Sequence, residues 1–368
     1  MKQFKALMFE GGTSEPYIGD AVVREPKGTE VLVRLLAAGI CHSDLHVLHG
    51  DNPATERIVL GHEGAGIVEA IGPDVTAVGL GDQVVMSWWA PCGICANCKN
   101  AREWLCQDTK ALQNTLPDGT SPLVGADGES LKPFLGVGAY AEYTLVPQAA
   151  VVKVPHSVPS SVAALIGCSV TTGIGAVLNT AEFRAGQTAV VVGCGGVGQS
   201  VIMGLKLAGA AEIIAVDLSE DRLDQARLVG ATHVVNPGAV DSVEAVLARV
   251  PNGVDFAFDA IGRPQTIPTL LPMVRSGGAG VVVGLPPREE EIGIKVWEMV
   301  VTGKRLLGCY YGSSRPQVDF PKMIDLYLAG MLDIESLIGE EVPLEQAAAG
   351  VKGLERAIGK RKIVRFGI

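Results

Sequence analysis

The sequence predicts an α/β protein with an additional β domain. The β domain is formed by a β-rich region, and the α/β domain contains a doubly wound parallel sheet. Short β-rich runs between glycine and proline turns occupy residues 4 to about 154, without a long helical period. After Cys168, six apolar runs recur at spacings that leave room for helices between them. Apolar strands alternating with helices are typical of a parallel sheet that is covered on both faces.

These runs locate the expected elements. In the first region we expect strands at 31–37, 66–71, 83–87 and 139–146. In the second region we expect strands at 189–192, 213–216, 233–235, 254–258, 280–284 and 305–310. Helical patterns follow at 320–332 and 344–358, and a short strand at 362–366 is expected to return to the first domain.

Composition fits ordinary packed domains and argues against several partners. The 368 residues are 48% hydrophobic and 19% charged, enough for two domains with their own cores. A formal net charge of -10 without a long basic block argues against nucleic acid and anionic membranes. The uncharged stretches 154–181 and 187–205 are interrupted by prolines, serines or glycines, and the start lacks a signal-peptide core. We therefore expect a soluble cytoplasmic protein whose eight cysteines stay reduced.

Residues 41–63 carry the side chains of a metal site. Cys41 and His62 are ligand types that zinc prefers, and the acids Asp44 and Glu63 lie close by in sequence. Cys168 is the best third ligand, because the other cysteines are clustered or lie in strand-like runs. Three protein ligands with a vacant fourth position are the arrangement of a catalytic zinc. His62 alone would more often be a buried core histidine, so the prediction depends on the combination.

A second group of thiols follows the pattern C-x2-C-x2-C-x7-C, and its members are Cys92, Cys95, Cys98 and Cys106. Four sulfurs leave no open position on a tetrahedral ion, so this site is predicted to be a structural zinc. An iron–sulfur cluster is the alternative. A ferredoxin-type run places its fourth cysteine after three residues and before proline, whereas here seven residues intervene and Gln107 follows. The spacing therefore favours zinc.

A glycine-rich turn opens the second region. The turn matches G-x-G-x-x-G between a strand ending at residue 192 and a helix running to about residue 207. Its predicted cofactor-binding residues are Gly193, Gly195, Gly196, Val197 and Gly198. The glycines let a pyrophosphate approach the helix N-terminus. Asp217 ends the next strand and would accept hydrogen bonds from the adenosine ribose, which favours NAD over NADP. A doubly wound domain without a dinucleotide is the alternative.

Together these motifs closely resemble the zinc-dependent medium-chain alcohol dehydrogenases, in the long-loop branch of liver-type and formaldehyde-dehydrogenase-like enzymes. The resemblance rests on C-H-S-D at 41–44, G-H-E-G-A-G-I-V-E-A-I-G at 61–72, the four-cysteine segment, Cys168 and the glycine turn, and covers essentially the whole chain. It implies a GroES-like catalytic domain at 1–169 and 310–368 with a structural zinc lobe at about 88–110. A Rossmann domain would be inserted at 170–309, with the active-site cleft between the domains.

The resemblance also assigns roles. It implies Cys41, His62 and Cys168 as catalytic zinc ligands, with Asp44 and Glu63 as supporting carboxylates. The implied proton relay is Ser43 and His46, which alone could be a helix cap and a surface histidine. Further implied cofactor contacts are His42, Thr172, Arg222 and Arg361, and implied pocket residues are Trp88, Tyr140 and Leu285.

The implied reaction is the reversible oxidation of a primary or aromatic alcohol to an aldehyde by hydride transfer to NAD. Two zinc ions per chain, a small-molecule substrate and a homodimer paired through the edge strand 305–310 are implied, with a tetramer as the other assembly. A thiol-adduct formaldehyde dehydrogenase is one alternative, although the segment between Cys106 and Asp118 lacks the expected acid-and-arginine pattern. An iron–sulfur electron carrier or binding protein is the other.

Overall fold

The computed structural model describes residues 1–51, 56–356 and 359–367. Within these residues the strands of the first region are β1 Lys2–Phe9, β2 Tyr17–Val23, β3 Glu30–Gly39, β4 Ile58–Val59, β5 Glu63–Ile71, β6 Gln83–Met86, β7 Leu123–Gly125, β8 Ser130–Pro133, β9 Tyr143–Pro147 and β10 Val151–Lys153. The later strands are β11 Thr188–Val192, β12 Glu212–Val216, β13 His233–Val235, β14 Val254–Asp259, β15 Val274–Val282, β16 Arg305–Gly308, β17 Ile338–Pro343 and β18 Arg361–Arg365.

The α-helices are α1 His42–His49, α2 Ala96–Lys99, α3 Ser160–Leu165, α4 Thr171–Gly175, α5 Gly196–Leu207, α6 Glu220–Val229, α7 Ser242–Arg249, α8 Leu270–Met273, α9 Val296–Thr302, α10 Pro316–Leu328 and α11 Ala347–Lys352. Short 3₁₀ turns occur at Glu103–Leu105, Ala111–Gln113, Phe134–Gly136, Gln148–Ala150, Ile267–Thr269, Tyr311–Ser313, Glu335–Leu337, Leu344–Gln346 and Gly353–Arg356. Two π-helical segments lie at Ile166–Val170 and Ala176–Thr180.

The first region contains a closed barrel and a second sheet. Strands β1, β2, β7, β8 and β4 close a barrel, and a second sheet has the order β10-β6-β5-β3-β18-β17, with β9 also paired to β3. The C-terminal strand β18 runs antiparallel to β3, with Ile363 opposite Gly39. The predicted return of the last strand to the first domain is therefore confirmed.

The second region is a six-stranded parallel sheet in the order β13-β12-β11-β14-β15-β16. Counted from β11, this is the 3-2-1-4-5-6 order of dinucleotide-binding domains, in which ligands bind where the order reverses. A strand forms at each of the six predicted places, although β15 begins at Val274 rather than at residue 280, and β16 ends at Gly308 rather than at 310. The side chains of Val190, Ile214 and Ala257 are fully buried and belong to one apolar cluster with Val246 of α7 and Leu270 of α8.

A continuous helix from Ser160 to Thr180 links the two regions and contains both π-helical segments. Its length and apolar composition would suffice for a membrane span, but 94% of its most apolar window is buried inside the fold. A helix that is apolar on all sides is expected where neighbours surround it. We propose the predicted domain limits 1–169, 170–309 and 310–368, with the first limit falling inside this helix.

The C-terminal helices differ in detail from the prediction. Helix α10 starts earlier than the predicted residue 320, with Pro316 in its first turn, and ends before Gly330, whose φ is +71°. The predicted helix 344–358 is broken into a 3₁₀ turn, α11 and a second 3₁₀ turn. Its last two residues lie outside the described part of the chain.

Candidate active site

Three separate elements bring two thiols and one imidazole together. Cys41 directly precedes α1, His62 directly precedes β5, and Cys168 lies in the first π-helical segment of the linking helix. Their ligand atoms and a carboxylate oxygen of Glu63 all lie within 4.8 Å of one another, and all four residues are buried. A π-helical turn is frequent at functional sites, and here it holds Cys168.

Asp44 fixes the orientation of the imidazole. Its Oδ1 accepts the backbone N–H of Gly61 at 2.9 Å and lies 3.4 Å from Nδ1 of His62. The other imidazole nitrogen, Nε2, is then buried without a hydrogen-bond partner among the described residues. A buried polar atom in this state requires an explanation, and a metal ligand oriented by a carboxylate supplies one.

Tyr140 lies in a different place from the predicted one. The resemblance assigned it to the substrate pocket, but its ring is fully buried, and its hydroxyl donates to Oδ2 of Asp44 at 2.8 Å and lies 3.1 Å from the Gly39 carbonyl oxygen. Gly61 makes room for the ring, because a Cβ at that position would lie 2.7 Å from it. Tyr140 therefore holds Asp44 in place through a hydrogen bond, which corrects the predicted pocket role.

Glu63 and Arg361 form a buried ion pair beside the cluster. Nη2 of the arginine lies 2.6 Å from Oε2 of the glutamate, whose other oxygen has no partner among the described residues. Burial raises the pKa of Glu63 to about 7, although the charge of Arg361 opposes this shift. The same guanidinium reaches the glycine turn, since a Cβ on Gly196 would lie 2.6 Å from Nη1. Arg361 therefore connects the glycine turn to the metal-type cluster, which consists of Cys41, His62, Glu63 and Cys168.

The charges of this cluster suit a cation. The hydrogen bond with Cys168 lowers the pKa of Cys41 well below its usual range despite burial, and the same bond raises the pKa of Cys168. Burial would lower the pKa of His62, but the charges of Asp44 and Cys41 raise it well above its usual value. Cys41 is therefore the more acidic of the two thiols. The unpartnered Nε2 and the two sulfurs fit a zinc ion, whose positive charge would favour the deprotonated thiolates.

The four remaining clustered cysteines enclose a tetrahedral space. Their Sγ atoms are separated by 3.5 Å for Cys95 and Cys98, and by 4.0 Å for Cys95 and Cys106 and for Cys92 and Cys98. Sulfurs at about 2.3 Å from a zinc ion form a tetrahedron with edges of about 3.8 Å. Backbone N–H groups of Cys98 and Gln107 lower the pKa of Cys95 to about 6. This donor set fits a closed, structural zinc site.

The glycine turn joins β11 to α5 where the strand order reverses. Gly193 has a φ of +91°, and a Cβ on Gly198 would lie 1.8 Å from the Gly193 carbonyl oxygen, so both positions require glycine. A Cβ on Gly195 would meet no other described atom within 4 Å, which leaves open space at the start of the helix. Asp217 accepts the backbone N–H of Cys194 at 2.7 Å and so fixes the turn. This arrangement fits a pyrophosphate.

The other predicted cofactor residues lie around this turn. Nη1 of Arg222 is 3.9 Å from Oδ2 of Asp217, whose Oδ1 accepts the backbone N–H of Ser219. Thr172 is nearly buried on α4, and His42 is exposed at the start of α1. Their direct contacts with NAD stay predictions.

Ser43 and His46 lie on α1, three residues apart and therefore on the same side of the helix. Oγ of Ser43 is 3.8 Å from Sγ of Cys41, next to the metal-type cluster. Nδ1 of His46 is hydrogen-bonded to Asp51 at 2.8 Å, and 34% of its side chain is exposed. The predicted relay thus has one end at the cluster and the other in contact with water.

An aromatic wall, made of Trp88, Trp89, Tyr310 and Tyr311, lies beside the cluster. The ring centroid of Trp88 is 4.3 Å from that of Tyr311 and 5.6 Å from that of Tyr310, and Trp89 is 5.2 Å from Tyr310. Burial and the charge of Cys168 raise the pKa of Tyr310 to about 12, so the wall is within electrostatic reach of that thiol.

The sequence prediction included Trp88 but missed both tyrosines of the wall. They follow β16, the last strand of the parallel sheet, and the carboxyl ends of such strands are where ligands bind. That rule was the available signal. Leu285, also predicted to line the pocket, follows β15 and is 66% exposed.

Arg361 contacts both the metal-type cluster and the dinucleotide turn. A metal site and a dinucleotide site joined in this way define a metal-dependent dehydrogenase. Comparisons with known proteins agree. The profile of the alcohol dehydrogenase GroES-like domain matches residues 27–156, and that of the zinc-binding dehydrogenases matches residues 196–329. S-(hydroxymethyl)glutathione dehydrogenase of Paracoccus denitrificans is 36% identical over 352 residues, covering 93% of this chain and 94% of that protein.

Two further similarities extend over nearly the whole chain. Class-3 alcohol dehydrogenase of Cereibacter sphaeroides is 37% identical over 355 residues, covering 93% of this chain and 94% of that protein. The crystal structure of benzyl alcohol dehydrogenase from Acinetobacter calcoaceticus superimposes with a TM-score of 0.94 at 31% identity, covering 99% of each chain.

The chain therefore belongs to the zinc-dependent medium-chain alcohol dehydrogenases, in the formaldehyde-dehydrogenase-like branch. It is an oxidoreductase whose cofactors are zinc and NAD. The predicted GroES-like and Rossmann domains are confirmed, and the iron–sulfur carrier is set aside.

Proposed function

We propose that the enzyme oxidises primary aromatic alcohols to aldehydes, reversibly, with NAD as the hydride acceptor. The observation that carries this proposal is the aromatic wall next to Cys168, in which the ring centroids of Trp88 and Tyr311 are 4.3 Å apart. Flat apolar side chains favour offset or edge contacts with another ring. The whole-chain similarity to a benzyl alcohol dehydrogenase supports the same substrate class.

The residues of the site have distinct roles in this reaction. Cys41, His62 and Cys168 would hold the catalytic zinc, which when bound supplies a Lewis acid that lowers the pKa of an alcohol. Ser43 lies next to that position and can accept the hydroxyl proton while donating its own, as a carboxylate cannot. His46 is open to water and passes the proton on.

A thiol-adduct formaldehyde dehydrogenase is the second candidate. It is favoured by the 36% identity to an S-(hydroxymethyl)glutathione dehydrogenase over nearly the whole chain. Such an adduct carries two carboxylates and therefore needs cations near the substrate entrance. Between Cys106 and Asp118 the single cationic residue is Lys110, which weakens this candidate without removing it.

Initial rates on zinc-loaded enzyme distinguish the two candidates. Benzyl alcohol, ethanol, 2-propanol and 1-phenylethanol are compared with NAD, and formaldehyde is supplied with and without glutathione. We expect the highest kcat/KM for benzyl alcohol. Oxidation of formaldehyde that requires glutathione and exceeds the rate with every alcohol would instead identify the thiol-adduct enzyme.

Trp88 should exclude secondary alcohols. Its side chain is only 8% exposed and packs between Tyr310 and Trp89, so it narrows the space beside the cluster. Replacing Trp88 by alanine should lower the preference for benzyl alcohol over 1-phenylethanol by about tenfold, since steric differences of this size are worth about 10- to 200-fold. Trp88→Phe, which keeps a ring, is the control. An unchanged preference in the alanine variant would argue against this role.

We also propose that the enzyme is a homodimer. Among the described residues β16 has a neighbouring strand on one side only, so its other edge is open. The adjacent helix α9 exposes a cluster of large apolar side chains, namely Val296, Trp297, Val300 and Val301. Open edges and exposed apolar clusters are typical of surfaces that pair with another chain. A second copy of this chain would extend the sheet and cover α9.

The variant Trp297→Glu tests the dimer, because it places a charge at a side chain that is 78% exposed in the single chain. Light scattering after gel filtration should show a dimer for the unmodified protein and a monomer for the variant. The control is Leu228→Glu on α6, where a leucine that is 74% exposed lies outside α9. The proposal fails if Trp297→Glu keeps the mass of the unmodified protein. If the unmodified protein is a tetramer and the variant is a dimer, α9 lies in the interface between dimers and the homodimer proposal is wrong.

A further inference from the structure

Tyr310 carries a hydroxyl group that the fold leaves uncommitted. Its ring packs edge-on against Trp88 and Trp89, with interplanar angles of 83° and 82°. The hydroxyl makes no hydrogen bond to any group in the described part of the chain. The neighbouring Tyr311 differs: its hydroxyl donates to the Gly167 carbonyl at 2.5 Å and lies 3.1 Å from Oγ of Ser87.

The position of Tyr310 links this hydroxyl to the substrate. The residue lies two positions after β16, the last strand of the parallel sheet, and its ring contacts two tryptophans of the first β-rich region, so the phenol lies where the parallel sheet meets that region. Burial and the Cys168 charge raise its pKa to about 12, which keeps the group a neutral donor and acceptor at neutral pH. The other three rings of the wall are at most 8% exposed, and the buried indole Nε1 of Trp88 is their one polar atom without a partner in the described residues.

An aromatic substrate lying on this wall displaces water from the phenol. If the substrate ring carries only hydrogen or alkyl groups, the hydroxyl loses its water and gains no partner, which costs binding free energy. If the ring carries an oxygen at the matching position, a hydrogen bond between the hydroxyl and that oxygen replaces the one that was made to water. A site with one unpaired polar group therefore discriminates between an oxygen and a methylene of the same size.

We propose that Tyr310 determines substrate specificity by hydrogen-bonding an oxygen substituent on the ring of the aromatic alcohol, either a phenolic hydroxyl or an ether. This inference rests on the proposed oxidation of primary aromatic alcohols and narrows it to ring-oxygenated members. Tyr310 is a binding residue in this role.

Matched substrates isolate the hydrogen bond. The 2-, 3- and 4-methoxybenzyl alcohols are each compared with the ethylbenzyl alcohol of the same substitution, because methoxy and ethyl groups have nearly the same shape. At one ring position, the unmodified enzyme should prefer methoxy over ethyl by about three- to tenfold in kcat/KM, the range of one neutral hydrogen bond. Tyr310→Phe should bring that ratio close to one, mainly through KM, because the contact exists in the ground state as well.

The control variant is Tyr311→Phe, which removes a hydroxyl that already has protein partners. It should lower the thermal midpoint and leave the methoxy-to-ethyl ratios unchanged. Equal ratios at all three positions in the unmodified enzyme, or a ratio that survives in Tyr310→Phe, would overturn the inference while leaving aromatic alcohol oxidation in place. Failure to oxidise any benzyl alcohol would overturn the proposed function itself.

Discussion

Replacing Cys41 by serine should abolish alcohol oxidation and remove one zinc ion per chain. Cys41 supplies one of two sulfurs in the buried cluster with His62 and Cys168, and no other described cysteine lies in that cluster to replace it. We expect kcat/KM to fall at least about a thousandfold, since a Lewis acid contributes several kcal/mol to transition-state stabilisation. Zinc analysis should give about one ion per chain instead of about two, and the far-ultraviolet circular dichroism should be unchanged.

Cys309→Ser is the matched control for this prediction. Cys309 is also buried, but its sulfur accepts a hydrogen bond from Thr180 at 3.2 Å and lies outside both clusters. The control should keep both zinc ions. Near-normal turnover in Cys41→Ser, or a full zinc content in that variant, would refute the assignment of Cys41 as a ligand.

Replacing Cys98 by serine should produce the largest loss of stability. The segment that contains the four clustered cysteines has only the one-turn helix Ala96–Lys99 and the 3₁₀ turn Glu103–Leu105 as regular structure. In zinc-finger peptides at neutral pH, zinc binding contributes about 10–16 kcal/mol to folding. We expect the thermal midpoint of the variant to fall by more than about 10 °C, with loss of one zinc ion.

Ile94→Ser provides the comparison within the same loop, because Ile94 lies between two of the cysteines and is 73% exposed. This variant should keep both zinc ions and nearly the same thermal midpoint. A Cys98→Ser protein with two zinc ions and an unchanged midpoint would show that the lobe does not depend on its metal. The catalytic cluster is separate, so part of the activity at low temperature should survive in Cys98→Ser.

Much of this fold could be predicted because its signals are local. Apolar runs mark the parallel strands, and G-x-G-x-x-G between a strand and a helix marks the dinucleotide turn. Both cysteine groups were predicted from ligand type and spacing, and the structure brings each group within 4.8 Å. Cys168 was harder, since it is more than 100 positions from His62 in the sequence. It was identified because the other cysteines had better explanations.

The remaining features depend on contacts between distant segments. Glu63 and Arg361 were each predicted to be near the site, but their ion pair spans 298 positions and follows from the pairing of β18 with β3. Tyr140 was assigned to the pocket by the family resemblance, and only the folded structure shows that its ring is buried and that its hydroxyl contacts Asp44. The π-helical segment at Cys168 has no sequence signal either, since it changes the hydrogen-bond register without changing the apolar pattern.

The helix between the two domains carries one residue predicted to bind each of their ligands. Cys168 and Thr172 are four residues apart on it, so a sulfur expected to hold the ion and a side chain expected to contact the dinucleotide move together as parts of one rod. If bound coenzyme changes the affinity of the protein for zinc, bound zinc must change the affinity for the coenzyme by the same factor. We expect bound coenzyme to raise the chelator concentration that removes half of this zinc at equilibrium, so that loss of the coenzyme weakens zinc binding.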